Sequence, residues 1–309
     1  MSVSPVTQVI LPATHELGGF SVRRVLPSRG RTMVGPFVFV DEFGPARLEP
    51  GTGMDVRPHP HIGLATVTWL FGSEQANDVG GAIDHRDSLG SFATIRPGQV
   101  NLMTAGAGIV HSERSPAGER VDGPKLFGMQ TWLALPDGQE DVAPAFESRA
   151  DLPVVSDSGV TAHIIIGELW GARAATTAHS PTIYAEIVLA PGGTIPIDAE
   201  ADERALMLVE GEATIGTAGD GTRLTPYALA LLAPGAAMTL ASAKGGRVML
   251  LGGAAFATPR HVWWNFVHSS RERIHQAQDD WSQGRFPLVP GDSDEAIPLP
   301  RVPLTRSDD

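Results

Sequence analysis

Four side chains in two short runs are competent to hold a metal ion: His59-Pro60-His61 and His111-Ser112-Glu113. In an extended strand, residues two apart project from the same face. Each run therefore forms a two-toothed claw. Two claws on facing strands bring three imidazoles and one carboxylate to a single ion, a donor set that suits iron, nickel, copper, manganese or zinc. A site that keeps coordination positions open supports chemistry, whereas a closed one supports only structure. Pro60 has no backbone donor, which places residues 59–61 at a sheet edge or bulge. One H-x-H pair alone carries little weight. Two same-face pairs, separated by a turn at Pro97-Gly98 and a strand, carry much more. Glu113 shares the parity of His111, which favours a ligand able to exchange a proton with a substrate. The bland alternative is a surface glutamate paired with Arg114 or Arg96.

The rest of the chain must position these claws, and it reads as many short strands. Gly (35) and Pro (25) are abundant among 309 residues, which favours strands and tight turns over long helices. Cysteine is absent, so disulfides, thiolate ligands and cysteine nucleophiles are excluded. The net charge of -12, with no dense basic patch, argues against a nucleic-acid backbone as a direct partner. Asp292, Asp294, Glu295, Asp308 and Asp309 read as a solvated acidic tail. Residues 1–11 lack a basic region followed by an apolar run, so no signal peptide is expected. The most apolar window, 228–237, is too short to span a membrane. The expectation is a soluble, cytoplasmic protein.

Apolar, β-branched runs predict strands at 37–43, 64–71, 100–104, 109–113 and 126–135, with a long Gly/Asp/Asn-rich loop between Phe71 and Phe92. The second half repeats the style at 184–189, 205–210, 212–215, 228–232 and 248–251. A strand, a Gly-Glu or Gly-Ser turn, a strand, a Pro-Gly turn and a further strand recur in both halves. The fold class is accordingly all-β dominated, with two related β-barrel or jelly-roll domains. Residues 1–135 form the first domain, 136–180 a linker with a strand candidate at 162–168, and 181–309 the second. A C-terminal helix is predicted over 269–284, capped by Ser269 with Glu272 and stopped by Gly284 and Pro287. Its Ile274, Ala277, Gln278 and Trp281 share one face, which should pack on the outside of a barrel. Trp263 and Trp264 read as packing.

The sequence from Arg57 to Leu64 (RPHPHIGL), His85-Arg86-Asp87-Ser88-Leu89-Gly90, and Arg96 to Glu113, with its MTAGAGIVHSE run, resemble the pirin family of the cupin superfamily. Asp41-Glu42-Phe43-Gly44, Trp263-Trp264-Asn265-Phe266-Val267 and Gly284-Arg285-Phe286-Pro287 extend the resemblance over almost the whole chain. It implies a bicupin with one metal in the N-terminal barrel, held by His59, His61, His111 and Glu113. The C-terminal barrel would carry no ligand set; His163 and His179 lie outside its barrel motifs. The implied cofactor is one divalent transition metal, Fe(II) first, with Ni, Cu, Mn, Co or Zn as alternatives. Several members resemble quercetin 2,3-dioxygenases. There a divalent metal binds a flavonol, the carboxylate ligand accepts the 3-hydroxyl proton, and dioxygen opens the central ring with loss of carbon monoxide. A small aromatic substrate and dioxygen would then be the partners, with Glu113 catalytic. Other members resemble iron-binding transcriptional cofactors, which makes the alternative a non-catalytic regulator whose metal redox state modulates a protein partner. A third reading is an inert, metal-stabilised barrel. Asp41, His85 and Gln130 are candidates to line a substrate pocket, with turn, exposed-loop and core roles as the competing readings. The chain departs from the family pattern at Ala65, where many relatives have Glu, and in a longer loop at 74–82.

Overall fold

A computed structural model describes residues 4–17, 19–72, 81–197, 199–217 and 220–301. Strands dominate it, and the only helices among the described residues are Ala117–Arg120 and Arg271–Ser282. The expected strands are present at 37–47, 64–70, 100–104, 109–114 and 125–134 in the first half. Each half builds one seven-stranded and one four-stranded antiparallel sheet, the two-layer solution for strands that are apolar on one face. In the first half, the four-stranded sheet runs in the order Asp55–His61, Ile109–Arg114, Ile83–Asp87, Phe92–Ile95. The larger sheet runs Ala145–Arg149, Val100–Thr104, Leu64–Leu70, Lys125–Ala134, Phe37–Arg47, Ser21–Leu26, Ala13–Glu16. The second half repeats the plan, with Thr194–Ile197, Met238–Ala241, Thr214–Thr217 and Asp220–Arg223 in its small sheet.

The chain forms two compact units that differ from the expected division at 135 and 181. One contains Glu16–Val22, Glu42–Ala150 and Ala257–Asp309; the other contains Met1–His15, Arg23–Asp41 and Asp151–Phe256. Local pairing explains the exchange. Val6–Ile10 adds to the edge strand Leu229–Leu232, so its backbone groups are satisfied in the second unit. Residues 136–180 are not a linker. Ala145–Arg149 pairs with Val100–Thr104 in the first unit, and Val154–Asp157 and Val160–Ile166 extend the large sheet of the second.

Two further expectations are corrected. The stretch between Phe71 and Phe92 is not all loop, because Ile83–Asp87 is a strand with its own partners; residues 73–80, which hold most of the longer loop, lie outside the described residues. The helix spans Arg271–Ser282 where 269–284 was expected, and its cap falls one residue later. Ser270, not Ser269, is the cap and accepts from the Arg273 amide, while Ser269 donates its hydroxyl to Glu140. As anticipated, the helix seats Ile274 and Ala277 against Ile62 and Phe266, with Trp263, Trp264 and Trp281 around them. Ile62 follows His61 and has the opposite parity, so the helix covers the side of the strand away from the claw.

Gly63 makes the turn from the His59 strand into the Thr68 strand. Its φ is +68°, and a Cβ there would fall 1.8 Å from the Val267 carbonyl oxygen. Only glycine satisfies both conditions.

Candidate metal centre

The two claws lie on neighbouring strands of one small sheet. Asp55–His61 is the edge strand, and His111 stands directly opposite His59 in the register. The pairing then shifts: Glu113 faces Val56, so Arg57 and Pro58 together oppose Ser112. Residues 59–61 thus lie on the sheet edge that Pro60 predicts, and the bulge falls just before them, at Arg57 and Pro58. The Arg57 carbonyl accepts from His59 Nδ1 at 2.8 Å. The Asn265 carbonyl accepts from His61 Nδ1 at 3.1 Å. Both bonds fix the tautomer that leaves Nε2 as a lone-pair donor.

His59, His61 and His111 are buried, and their ligand atoms all lie within 4.8 Å of one another. Ring centroids are separated by 4.4 to 5.0 Å. The Nε2 atoms of His61 and His111 are 3.1 Å apart, and His111 Nδ1 is buried without a hydrogen-bond partner. Three desolvated imidazoles with converging lone pairs are costly unless a cation or proton joins them, and a divalent ion of the transition series fits such a donor set. Among the described residues this is the single group of three or more metal-competent side chains.

Burial depresses the imidazoles' basicity. His59 is pulled down to about 4, chiefly by burial. His61 and His111 are held well below the ordinary value by burial and then by the neighbouring rings. In the metal-free protein the unfolded chain therefore takes up protons first as pH falls below about 6.5. The folded state loses stability from there down to about 4, and His59 alone contributes on the order of 3 kcal/mol across that window. Urea midpoints of the chelator-treated protein are expected to fall steadily between these pH values, with a shallower slope for His59→Gln. An identical slope would contradict the burial of a neutral imidazole.

Glu113 is not a surface residue paired with Arg114 or Arg96. Arg114 binds Asp292 and Asp55, and Arg96 pairs with Glu119. Glu113 Oε1 instead accepts from Gln130 Nε2 at 3.4 Å and lies 3.3 Å from Thr68 Oγ1, whose single proton is shared between it and the nearer Gln130 Oε1 at 2.6 Å. Burial pushes the Glu113 carboxyl up, against the pull of His85, Thr68 and Gln130. Gln130 and Thr68 are cross-strand partners, so the large sheet supplies the wall facing the claws.

His85 lies in the same site. It is buried opposite Glu113 in the register, 5.3 Å from the His111 ring, stacked on Phe146 at 4.3 Å, and donates to Asp87 Oδ2 at 3.2 Å. Asp87, Thr68, Trp132 and Phe146 went unrecognised in the sequence. Trp132 sets its ring edge-on to His61 at 4.9 Å. The one available signal was His85-Arg86-Asp87, which has the same i, i+2 spacing as the two claws.

Asp41 does not join these residues. It belongs to the other compact unit, where Arg24 binds both of its carboxylate oxygens at 2.7 Å. That ion pair satisfies the buried carboxylate and gives Asp41 a structural task. Ala65 also stands apart: its parity is opposite to that of Thr66 and Thr68, so it faces away from the site. A glutamate there would not reach the claws, and its loss leaves them unchanged. In the second barrel, the strands equivalent in sheet order to the claw strands present Ile195, Ile197, Met238 and Leu240, all part of an apolar core. That interior is filled where the first barrel gathers imidazoles.

Residues 19–133 match the family profile described as Pirin, and residues 184–287 that of the Pirin C-terminal cupin domain. The chain belongs to the pirin family. A pirin-like protein of Caulobacter vibrioides is 45% identical over 290 residues, covering 92% of this chain and 96% of the relative. A Pseudomonas aeruginosa relative named "putative quercetin 2,3-dioxygenase" is 40% identical, over 92% of this chain and 87% of its own. The crystal structure of a quercetin 2,3-dioxygenase from Acinetobacter baumannii superposes with a TM-score of 0.86 at 34% identity, over 97% of this chain and 96% of that one. The pirin bicupin fold thus accounts for the two barrels, and its N-terminal barrel holds the three-histidine centre.

Proposed function

We propose that this pirin is a metal-dependent dioxygenase acting on quercetin-like flavonols or related enolisable phenolics. The observation that carries the reading is the convergence of three buried, neutral imidazoles, His59, His61 and His111, in one barrel; Glu113 lies outside that group of three, on the strand of His111, with its carboxylate held by Thr68 and Gln130. His59, His61 and His111 would hold one divalent ion, Fe(II) in this reading, with Glu113 as fourth ligand. Bound there, the ion supplies Lewis-acid orientation and charge stabilisation for an enolate and for dioxygen.

The chain's own residues do the rest. Glu113 takes the proton of the substrate's 3-hydroxyl; burial makes its carboxyl more basic than a solvated glutamate, which favours that transfer. Thr68 and Gln130 hold its Oε1 and fix the carboxylate plane. His85, locked by Asp87 and stacked on Phe146, presents a polar edge next to Glu113. Trp132 and Phe146 give apolar walls for a flat aromatic substrate and exclude water from the enolate. The names of the Pseudomonas and Acinetobacter relatives support the same substrate class. The test is oxygen uptake with quercetin and with the matching flavone that lacks the 3-hydroxyl. Quercetin should be consumed and the flavone left intact. Equal consumption of both would remove Glu113 from the role given to it.

A further inference from the structure

The acidic tail that composition marks as solvated contains a residue tied to the back of the metal site. Asp292 accepts from Arg114 Nε at 2.6 Å and Nη2 at 2.8 Å, and from the hydroxyl of buried Ser112 at 2.8 Å. Ser112 and Arg114 alternate with His111 and Glu113 on one strand, so they occupy its opposite face. Ser112 also stands across from the bulge of Arg57 and Pro58. Five residues beyond Asp292, the Ile297 amide donates to the Pro58 carbonyl at 2.8 Å, next to His59. The segment is anchored at both ends. Val289 is buried, Phe286 stacks on Phe266, and Trp281 Nε1 donates to the Ile297 carbonyl at 3.0 Å.

The C-terminal segment thus stitches together, from outside, the two strands at the irregularity where their ladder is weakest. A bulge leaves a strand free to bend and re-aim its side chains. Holding both sides of it keeps His59, His111 and Glu113 at one spacing.

We propose that Asp292 is a positioning residue for the metal centre, acting through Ser112 and Arg114 on the strand that carries His111 and Glu113. The proposal rests on the metal-binding reading above. Outer groups that orient ligands change metal affinity without touching the metal.

The test uses the full-length protein, stripped of metal and titrated with Co(II), whose visible bands report ligand geometry. Asp292→Asn, which keeps shape and removes charge, is expected to weaken Co(II) binding about 10-fold and to shift the bands. Ser112→Ala, which leaves the arginine contact, should fall between it and the wild type. Asp294→Asn, an exposed neighbour, should match the wild type. Asp292→Asn and Ser112→Ala that bind within about twofold of wild type with superimposable spectra would overturn the proposal, even if both melt earlier. A wild-type protein that takes up no Co(II) would instead overturn the metal centre itself, and the positioning role with it.

Discussion

Replacing His111 with alanine is expected to abolish metal binding and with it all turnover. His111 sits centrally, opposite His59 in the register and with its Nε2 3.1 Å from that of His61. Removing it leaves His59 and His61 on one strand and Glu113 on its neighbour, one imidazole short of the group that gathers there. The stability readout separates this from simple misfolding. A ligand that binds only the folded state stabilises it by about 4 kcal/mol at a thousandfold excess over Kd. Metal should therefore raise the unfolding midpoint of the wild type and leave that of His111→Ala unmoved. The metal-free proteins should differ far less, because the mutation also removes a buried ring nitrogen that has no partner. A variant that still responds to metal like the wild type would show that His111 is not a ligand.

Glu113→Gln separates binding from chemistry. The amide keeps the size of the side chain and its neighbours Thr68 and Gln130, but it cannot take a proton at neutral pH. Turnover of a flavonol is expected to fall by roughly 10²–10⁴-fold, the range for loss of a positioned general base. Three histidines remain, so the variant should still bind metal, more weakly than wild type. Metal content by elemental analysis, set beside kcat, checks both halves. Wild-type turnover in Glu113→Gln would exclude the carboxylate as the proton acceptor. Loss of metal to the level of His111→Ala would make it a ligand first and leave its catalytic part unproven by this variant.

The claws were legible because their information is local. Strand parity turns an i, i+2 spacing into a shared face without knowledge of any partner, so His59 with His61 and His111 with Glu113 could be paired from the chain alone. The facing wall was not legible, because it depends on register. Thr68 meets Gln130 and Glu113 only once Leu64–Leu70 is aligned with Lys125–Ala134 and set across from the small sheet. Trp132 and Phe146 were hidden for the same reason. Asp87 carried a usable signal, but the polar surroundings of His85 resembled a loop more than a strand.

Charge was the weaker guide. Asp41 lies in one of the motifs that carry the resemblance, yet a partner 17 residues earlier, Arg24, claims it. Asp292 was read by the company it keeps among acids, and a single arginine on a distant strand reverses that reading. The exchange of terminal segments between the two units was likewise beyond local pattern. An edge strand such as Leu229–Leu232 needs a partner, but nothing in residues 6–10 names it. No helix among the described residues is long and apolar enough to cross a membrane.

Oxygen-dependent ring opening at the three-histidine centre has a gaseous reactant and a gaseous product that can be counted. The most direct measurement is carbon monoxide release and dioxygen uptake with quercetin, on protein reconstituted in turn with Fe(II), Ni, Cu, Mn, Co and Zn, and analysed for bound metal. At least one metal-loaded form is expected to release carbon monoxide in step with dioxygen consumed, and His111→Ala to do neither. Stoichiometric metal in the wild type with no oxygen uptake for any ion would contradict ring opening at this centre.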